Sequence, residues 1–532
     1  MKKIYSLSII LMATMLCIMA SCQQGEDHPV ITIIHTNDTH SQIEPATNKD
    51  GTVTGGVVER ASLLDYFRKQ DPDLLYLDAG DMVQGSPFFN VFNGILEMYC
   101  MNQQDLICST FGNHEFDNGL AGLDSMLRIA DFPFVSCNYH CDSTVIADLI
   151  QPHLIVENHG VKIGLTGVTC DPEGLIFAKN WAGIRYEDPV VAANREAKIL
   201  RDKGCDLVVL LSHVGYSTAD TIGDRLTALK SSDIDIIIGG HTHTNLEEGV
   251  YVNNMVGTPV LITQTGSKQA PIGYVQVTMK RGSRYPKCHY SVDSIVCHKL
   301  YPADYDLTGC GQDMKDFIAP YLDQLQSMMQ EKIGFSASYM DRGRPQSLLG
   351  NFTADAMRTI GATMYDKPID VGLMNVGGLR NDMPAGDISL GDLYKIYPFE
   401  NSFEILELKG SDLDDLIHSM AGKKLEALSG VNVTLALEDT KAIAKEVLVG
   451  GKPIDPERTY VVATIDYLAE GNDGMSALTR YTKRTKTGII LRDCMIDYVK
   501  SLTAKGQEIN AMLDNRVVDN AKGATLPAPT RL

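Results

Sequence analysis

The segment GNHEFDNG, at residues 112–119, brings an amide, an imidazole and a carboxylate close together in the chain. It follows an apolar run at residues 106–110 that predicts a buried strand. Asn113 can ligate a metal through its carbonyl oxygen, while His114 is free to protonate a leaving group and Asp117 can hold the other ring nitrogen. A lone cluster of this kind is more often an ordinary polar loop, so its interpretation depends on the other strand ends.

Four other predicted strands run into loops rich in His, Asp or Asn. These loops read HTNDTH (35–40), DAGDMVQGSP (78–87), SHVGY (212–216) and GGHTHT (239–244). Seven strands are predicted in this region, at residues 30–35, 73–77, 105–110, 161–168, 206–211, 234–238 and 259–264, and five of them run into these polar loops, with GNHEFDNG included. Open α/β sheets place their ligands beyond the carboxyl ends of the strands, and a chance scattering would not put five polar loops there. The sequence therefore predicts one site built from all five loops.

Seven side chains of these loops are potential metal ligands: Asp38, His40, Asp81, Asn113, His213, His241 and His243. Their oxygen and nitrogen donors, with no thiolate among them, suit Mn²⁺, Zn²⁺, Fe or Co²⁺ in an open catalytic site. Seven ligands are too many for one tetrahedral ion, so two ions that share one carboxylate account for the number. Asp81 is the natural bridge because it stands alone on its loop. Such ion pairs activate a water molecule and hold phosphoryl oxygens during in-line attack.

The wider pattern predicts two α/β domains, because short apolar runs alternate with helical stretches. The expected segments are a first domain at 30–301, a linker at 302–333, a second domain at 334–519 and a tail at 520–532. Apolar residues at helical spacing predict a linking helix near residues 314–332, with Pro320 near its start or at a kink.

The first residues have the features of a secretory signal. Lys2 and Lys3 precede an apolar run at residues 4–20, and Cys22 follows the small residues that end it. This arrangement resembles a bacterial lipoprotein processing site, at which residues 1–21 are removed and Cys22 becomes the lipidated first residue. An uncleaved N-terminal membrane anchor is the alternative. We therefore expect an exported protein of a bacterial cell envelope, periplasmic or at the outer membrane or cell surface, that meets the membrane only through its lipid anchor.

The composition is that of an acidic globular protein with 532 residues, 47 basic and 67 acidic side chains and a net charge of −20. This balance argues against a general nucleic-acid-binding surface, because such surfaces need an excess of Lys and Arg. A protein of this charge that handles phosphates must concentrate positive charge locally, in metals or a few arginines. The spacing of the ten cysteines after Cys22 predicts no particular disulfide pairing.

The ordered motifs DTH, GDxxQGSP, GNHEFDNG, SHVGY and GGHTHT resemble those of the calcineurin-like metallophosphoesterases. With the second domain included, the chain resembles the 5′-nucleotidase family, which includes UDP-sugar hydrolases and 2′,3′-cyclic phosphodiesterase/3′-nucleotidases. The resemblance covers nearly all of the mature chain. It implies an N-terminal four-layer α/β/β/α metallophosphoesterase sandwich, a linking helix and a C-terminal α/β substrate-binding domain.

The resemblance also implies how the ligands divide between the two ions. One ion would be held by Asp38, His40, Asp81 and His243, and the other by Asp81, Asn113, His213 and His241. His114 and Asp117 would form a dyad beside the metals. In that dyad His114 stabilises the negative charge of the transition state or protonates the leaving oxygen, and Asp117 orients it.

Residues of the second domain are candidates for selecting the substrate, because a metal pair alone does not choose among phosphates. Arg380, in the segment NVGGLR, carries a planar fork suited to phosphate or carboxylate. Gly377 and Gly378 let the backbone approach a ligand, and Asn375 offers the donor and acceptor that a base edge requires.

By resemblance, Phe399 and Tyr467 sandwich a nucleobase and Asp473 contacts the ribose hydroxyls. Stacking tolerates every base, so broad nucleotide specificity is expected. Core packing is the alternative for either aromatic residue. The phosphate-binding arginine expected before the segment LGN is Arg344, with Arg342 as the alternative.

The sequence predicts a hydrolase with two divalent metal ions that releases phosphate from nucleoside 5′-monophosphates, with UDP-sugars as further substrates. Its expected partner is a small nucleotide rather than a nucleic-acid polymer, and the oligomeric state has no signal in the sequence. One alternative is a 2′,3′-cyclic-nucleotide phosphodiesterase/3′-nucleotidase with the same metal site. Alternatives of other kinds are a non-catalytic nucleotide-binding surface lipoprotein and a sulfur-compound hydrolase on the same two-domain plan.

Overall fold

The computed structural model describes residues 28–47, 53–173, 175–176, 178–219, 223–268, 271–422, 425–438 and 441–521. Contacts divide the chain into two compact units. The described parts of 1–172 and 180–317 form unit 1, and those of 173–179 and 318–532 form unit 2. The predicted signal with Cys22 lies outside the described residues, as does all but the first two residues of the predicted tail. Within the described residues, no helix combines the length and the apolar character needed to cross a membrane.

Unit 1 alternates strands with helices. Its strands are β1 (Val30–Thr36), β2 (Ala46–Thr47), β3 (Val53–Thr54), β4 (Leu75–Asp78), β5 (Cys108–Ser109), β6 (Phe134–Val135), β7 (Tyr139–His140), β8 (Ile150–Gln151), β9 (His153–Asn158), β10 (Val161–Thr169), β11 (Arg185–Tyr186), β12 (Leu207–His213), β13 (Ile236–Gly239), β14 (Val250–Asn253), β15 (Pro259–Thr263), β16 (Ile272–Arg281) and β17 (Tyr290–Leu300). Its helices are α1 (Val57–Arg68), α2 (Pro87–Phe92), α3 (Ile95–Gln103), α4 (Gly119–Ile129), α5 (Pro189–Asp202) and α6 (Gly223–Leu229).

Two mixed sheets form the centre of unit 1. The seven-stranded sheet has the order β17-β16-β1-β4-β5-β6-β8, and the six-stranded sheet has the order β14-β15-β13-β12-β10-β9. Alternate residues of a strand point to the same face of its sheet, and the inward-pointing residues of the two sheets share one core. Ile31 and Ile33 from the first sheet belong to the same buried cluster as Leu207 and Val209 from the second.

Helices cover the outer faces of both sheets. Ala193 and Ala197 of α5 share a buried cluster with Leu210, on the outer face of the six-stranded sheet. On the seven-stranded sheet, the hydroxyl of Tyr76 in β4 donates a hydrogen bond to the sulfur of Met101 in α3, at 3.6 Å. Unit 1 is therefore the four-layer α/β/β/α sandwich that the sequence predicts.

Unit 2 is a second α/β domain. Helix α7 (Gln312–Met329) spans the division between the units, and the helices that follow are α8 (Leu348–Met364), α9 (Leu390–Ile396), α10 (Gly410–Ala421), α11 (Asp466–Ala469) and α12 (Leu491–Ala504). Its strands are β18 (Lys332–Ser336), β19 (Val371–Met374), β20 (Gly386–Ser389), β21 (Ser402–Lys409), β22 (Ala427–Ser429), β23 (Val431–Glu438), β24 (Lys441–Val449), β25 (Lys452–Pro453), β26 (Thr459–Ile465), β27 (Lys483–Ile490) and β28 (Val517–Asp519).

A five-stranded sheet of order β22-β19-β26-β21-β27 forms the centre of unit 2. Strands β19 and β26 are parallel, whereas β22 runs antiparallel to β19. Helices α8, α10 and α12 contribute to the same buried core, for example through Met357, Leu416 and Met495. A four-stranded sheet, β25-β24-β23-β28, and a pair of strands, β18 and β20, complete the unit. The predicted C-terminal α/β domain is thus confirmed.

The predicted elements are present with shifted ends. All seven predicted strands occur, although β5 is only Cys108–Ser109. The other strands of unit 1 were not predicted; the longer ones are β9, β14, β16 and β17, and the rest have two residues each. The linking helix occurs as α7. Of the two positions predicted for Pro320, near a helix start or at a kink, the first does not occur and the second stays a prediction. Pro320 lies inside α7, because the helix is held by buried side chains on both sides of it, Ile318 and Leu325. The ten cysteines after Cys22 are all free thiols, and eight of them are buried.

Candidate functional site

The seven predicted metal ligands lie at the carboxyl ends of neighbouring parallel strands. In the seven-stranded sheet, β1 leads to Asp38 and His40, β4 leads to Asp81 and β5 leads to Asn113. In the six-stranded sheet, β12 ends at His213, and the neighbouring β13 leads to His241 and His243. Because both sheets end their parallel strands at the same edge, the structure brings all seven side chains together.

The first group of ligand atoms comprises Asp38, His40 and His243, which lie within 4.8 Å of one another. The Nε2 atoms of His40 and His243 are 3.0 Å apart, and Nε2 of His243 is 3.3 Å from Oδ1 of Asp38. Burial lowers the pKa of His40 to about 3, so its ring is neutral and offers a lone pair. These three residues are those that the resemblance assigns to one ion, together with Asp81.

The second group comprises Asp81, His213 and His241, whose ligand atoms also lie within 4.8 Å of one another. Oδ2 of Asp81 is 3.0 Å from Nε2 of His213, and Nδ1 of His241 is 3.0 Å from Oδ1 of Asn113. The same Asp81 oxygen is 4.0 Å from Nε2 of His40, in the first group. Asp81 is therefore placed to serve both groups, as a bridging carboxylate would be.

The environment of His213 fits a bound cation. Its Nδ1 donates a hydrogen bond to the carbonyl oxygen of Ala79 at 2.7 Å, so its Nε2 is the atom that faces Asp81. That Nε2 is buried, and its 3.0 Å approach to Oδ2 of Asp81 is an ion-pair contact rather than an aligned hydrogen bond. Burial lowers the pKa of His213, but the carboxylates of Asp81 and Asp38 outweigh it and raise the pKa to about 10. A divalent ion bound by His213 would take the place of the proton on Nε2, because either positive charge compensates the carboxylates of Asp81 and Asp38.

His114 and Asp117 form a close pair beside these groups. Nδ1 of His114 is 2.8 Å from Oδ2 of Asp117, and the backbone N–H of His114 donates to Oδ1 of Asp81 at 2.9 Å. Burial lowers the pKa of His114, but the carboxylates of Asp117 and Asp81 outweigh it and raise the pKa to about 10. The His114 side chain is 30% exposed, so Nε2 is available as a proton donor. Ligand atoms of His114, His40 and Asp81 also lie within 4.8 Å of one another, which puts the pair at the metal groups.

The backbone of the site is unusual. Five of the seven predicted ligands have positive φ angles: Asp38 (50°), His40 (46°), Asp81 (54°), His241 (73°) and His243 (52°). Residues other than glycine rarely adopt this conformation, which costs about 1–3 kcal/mol each. Such strain persists where the surrounding structure holds a functional side chain in place, and this concentration supports the assignment of the site.

In unit 2, the predicted substrate residues form two small groups. Asn375 donates from Nδ2 to Oδ2 of Asp473 at 2.8 Å, and the hydroxyl of Tyr467 donates to Oδ1 of Asp473 at 3.3 Å. The guanidinium of Arg380 lies over the ring of Phe399, 4.8 Å from its centre. Phe399 is 42% exposed and Tyr467 is 38% exposed, so neither ring is a core residue.

The two predicted glycines have different surroundings. Gly377 is exposed, and a Cβ there would approach nothing closer than Nδ2 of Asn375, at 3.8 Å. Gly378 is buried, and a Cβ there would lie 2.5 Å from the terminal methyl of Met374. Packing therefore accounts for Gly378, whereas Gly377 leaves room for a ligand.

Arg344 and Arg342 are the two candidates for the predicted phosphate contact. Arg344 pairs with Glu426, with Nη2 of Arg344 and Oε1 of Glu426 2.8 Å apart. Arg342 donates from Nη1 to the carbonyl oxygen of Leu379 at 2.7 Å. Both arginines are thus attached to unit 2, and neither is a loose surface charge.

Two family models match the chain. The model of the calcineurin-like phosphoesterase matches residues 31–245, and that of the 5′-nucleotidase C-terminal domain matches residues 328–480. The chain belongs to the 5′-nucleotidase family. This 5′-nucleotidase family member is therefore a metal-dependent phosphoester hydrolase, and the metallophosphoesterase fold implies that it uses divalent metal ions.

Relatives of this family member extend over nearly the whole chain. Snake venom 5′-nucleotidase of Crotalus adamanteus is 27% identical over 523 residues, which cover 89% of this chain and 86% of that protein. The crystal structure of a 5′-nucleotidase precursor from Thermus thermophilus has a TM-score of 0.59 at 26% identity, over 92% of this chain and 99% of that one. NAD nucleotidase of Haemophilus influenzae has a TM-score of 0.70 at 21% identity, over 93% and 100% of the two chains, and shows a shared fold alone.

Glu115 supports the candidate metal site, and sequence analysis missed it. Its side chain is buried, and Oε2 accepts hydrogen bonds from the backbone N–H groups of Asp81 (3.0 Å) and Gly112 (2.6 Å). Its Oε1 accepts a third bond from the N–H of Met82, at 2.8 Å. Burial and the nearby Asp81 carboxylate raise the pKa of Glu115 to about 7. This carboxyl group ties two ligand loops together, a role that its residue type alone does not signal.

Asn37 is a second residue that sequence analysis missed. Its Nδ2 donates to Oδ2 of Asp38 at 2.5 Å and to the carbonyl oxygen of Gly266 at 2.7 Å. Its Oδ1 accepts bonds from the N–H and the hydroxyl of Thr265, at 2.9 and 2.7 Å. Outer contacts of this kind fix the orientation of a metal ligand, in this case the Asp38 carboxylate.

Proposed function

We propose that this family member hydrolyses nucleoside 5′-monophosphates to nucleosides and phosphate. The observation that carries the proposal is the pair of exposed aromatic rings, Phe399 and Tyr467, in the unit that also presents Arg380, Asn375 and Asp473. Exposure of an aromatic ring to water is unfavourable unless a ligand covers the ring, and a nucleobase is a flat ligand that stacks on such rings. Arg380 supplies positive charge for a phosphate, and Asp473 accepts hydrogen bonds as ribose hydroxyls require.

Unit 1 supplies the chemistry of the proposed reaction. The seven side chains from Asp38 to His243 would hold two divalent ions, drawn from Mn, Zn, Co or Fe. Bound there, the ions would stabilise the charge of the phosphoryl group and activate the attacking water. Asp117 fixes the ring of His114 through Nδ1, so that Nε2 can donate its proton to the leaving 5′-oxygen.

Phosphate release from a substrate panel tests the proposal. The purified mature protein is treated with chelator, reloaded with Mn²⁺, Co²⁺ or Zn²⁺ and given AMP, 3′-AMP, 2′,3′-cyclic AMP, UDP-glucose and 4-nitrophenyl phosphate. Metal-dependent release with AMP as the best substrate is the expected result. A preference for 2′,3′-cyclic AMP and 3′-AMP would favour the phosphodiesterase alternative instead. Hydrolysis of 4-nitrophenyl phosphate alone would leave the metal site standing but contradict the nucleotide assignment.

Removal of the aromatic rings separates nucleotide binding from phosphate chemistry. We expect Phe399→Ala and Tyr467→Ala each to raise KM for AMP by about 10- to 100-fold, because a stacked base contributes about 1–3 kcal/mol. The kcat/KM for 4-nitrophenyl phosphate, which has no base, should change less than about threefold. Phe335→Ala is the matched control, since Phe335 is 40% exposed in the same unit but was not predicted to bind substrate. An equal loss on both substrates would contradict base stacking.

We also propose that the protein is exported and anchored through a lipid on Cys22. The support is the sequence signal alone, and the expected location is the periplasmic or outer surface of a bacterial envelope. In a detergent phase-separation assay, the wild-type protein is expected in the detergent-rich phase and the Cys22→Ser variant in the aqueous phase. A mature N-terminus without an attached lipid, measured by mass spectrometry of the wild-type protein, would contradict the anchor.

A further inference from the structure

Glu426 is a buried carboxylate that connects two segments of unit 2. It immediately precedes β22, whose Ala427 pairs with Met374, the last residue of β19. This register places Glu426 beside the loop that follows β19, defined here as the 375–380 loop (NVGGLR). Only 5% of the residue is exposed, so its charge must be compensated by protein groups.

Each oxygen of Glu426 has its own partner. Oε1 accepts hydrogen bonds from both Nε and Nη2 of Arg344, at 3.0 and 2.8 Å. Oε2 accepts a bond from the backbone N–H of Val376, at 2.7 Å. One carboxylate therefore joins the guanidinium of Arg344 to the 375–380 loop, which carries Asn375 and Arg380.

This geometry fixes the direction in which Arg344 can act. The two bonds converge on one oxygen, so they hold the Nε and Nη2 edge of the planar guanidinium toward Glu426. Within the described part of the chain, Nη1 of Arg344 makes no hydrogen bond, and 31% of the side chain is exposed. Nη1 is thus left without a protein partner among the described residues while its neighbours are held by Glu426, as an anion contact would require.

We propose that Glu426 is a positioning residue for substrate binding, which holds Arg344 and the 375–380 loop in the arrangement that receives the nucleotide. The proposal rests on the proposed function, because it assigns the anion at Arg344 to the substrate. The alternative is a purely structural ion pair. Buried ion pairs often add little to stability, so the presence of the pair does not by itself explain why Arg344 keeps one edge exposed.

The Glu426→Gln variant tests the proposal with little change in size. A glutamine offers one acceptor oxygen, and its amide N–H₂ would face either Arg344 or the Val376 N–H, which are both donors. We expect KM for AMP to rise by roughly tenfold or more, since charge-assisted hydrogen bonds are lost on both sides. The kcat for AMP is expected to change less than about threefold, whereas KM for 4-nitrophenyl phosphate should also rise, because its phosphate group would meet the same arginine.

Glu404→Gln is the matched control. Glu404 is also buried in unit 2 and forms a bidentate pair with Arg484, with bonds of 2.6 and 2.9 Å. In the described chain it hydrogen-bonds none of the predicted substrate residues. A purely structural ion pair predicts that Glu404→Gln and Glu426→Gln lower the melting temperature alike and leave KM for AMP unchanged. A positioning role predicts that only Glu426→Gln raises KM.

A double-mutant cycle identifies the residue through which Glu426 acts. If Glu426 works by holding Arg344, Glu426→Gln has less than its single-mutant effect in an Arg344→Ala background. Full additivity, or an unchanged or lower KM for AMP, would each overturn the proposal. These outcomes leave the proposed function intact as long as the wild type hydrolyses a nucleotide of the panel. A wild-type enzyme that hydrolyses none of the nucleotides would overturn both the positioning role of Glu426 and the proposed function.

Discussion

The Asp81→Asn variant is expected to release phosphate about 10³-fold more slowly than the wild type and to lose most of its bound metal. Oδ2 of Asp81 lies 3.0 Å from Nε2 of His213 and 4.0 Å from Nε2 of His40, so one charge serves both ligand groups. A metal site contributes several kcal/mol of transition-state stabilisation, and about 4 kcal/mol corresponds to roughly 10³-fold in rate. Asparagine keeps the size of the side chain and an oxygen that can accept the N–H of His114, so the fold is expected to persist.

Two readouts separate metal loss from unfolding in this experiment. Metal content is measured by elemental analysis after chelation and reloading, beside phosphate release from AMP and a thermal melt. Asp202→Asn is the control, because Asp202 is an exposed carboxylate whose one ion-pair partner among the described residues is Lys198, four residues earlier on α5. An Asp81→Asn protein that keeps the full metal content and activity within tenfold of the wild type would refute the bridging role.

The candidate metal site was predictable because the side chains that form it follow apolar strands directly in the chain. Asp38 comes two residues after β1, and His213 is the last residue of β12, so a strand prediction also places the side chain at one edge of a sheet. The alternation of strands and helices likewise predicts the layers of unit 1, because each sheet face needs an apolar cover. The unpredicted strand β17 shows the limit of this approach. Its residues alternate irregularly between buried and exposed, so it offers no apolar run to detect.

The residues that support the site were not predictable from local sequence. Glu115 accepts three backbone N–H groups, and any loop of suitable shape provides such donors whatever its side chains. Glu426 meets Val376 only because β22 pairs with β19 in one register, across about fifty residues of intervening chain. The left-handed backbone at Asp38 and Asp81 has only a weak signal in residue type, because Asp adopts it more often than most residues but usually does not.

The pair of His114 and Asp117 leads to a prediction that depends on the leaving group. Nδ1 of His114 is engaged by Asp117 at 2.8 Å, and the surrounding carboxylates favour the protonated ring, so Nε2–H is the group that can reach a substrate oxygen. The leaving 5′-oxygen of AMP is a strongly basic alkoxide, which needs a proton as the P–O bond breaks. The leaving oxygen of 4-nitrophenyl phosphate is weakly basic and departs without one.

We therefore expect His114→Asn to lower kcat for AMP by about 10²- to 10⁴-fold, the usual contribution of a general acid. The kcat for 4-nitrophenyl phosphate should fall less than about tenfold, because its departure does not need the proton. His140→Asn is the control, because His140 forms a similar pair in the same unit. Nε2 of His140 is 2.7 Å from Oε2 of Glu187 and 25% of the His140 side chain is exposed, whereas the corresponding values for His114 and Asp117 are 2.8 Å and 30%. An equal loss on both substrates would show that His114 stabilises the phosphoryl charge instead, since that charge is present whichever group leaves.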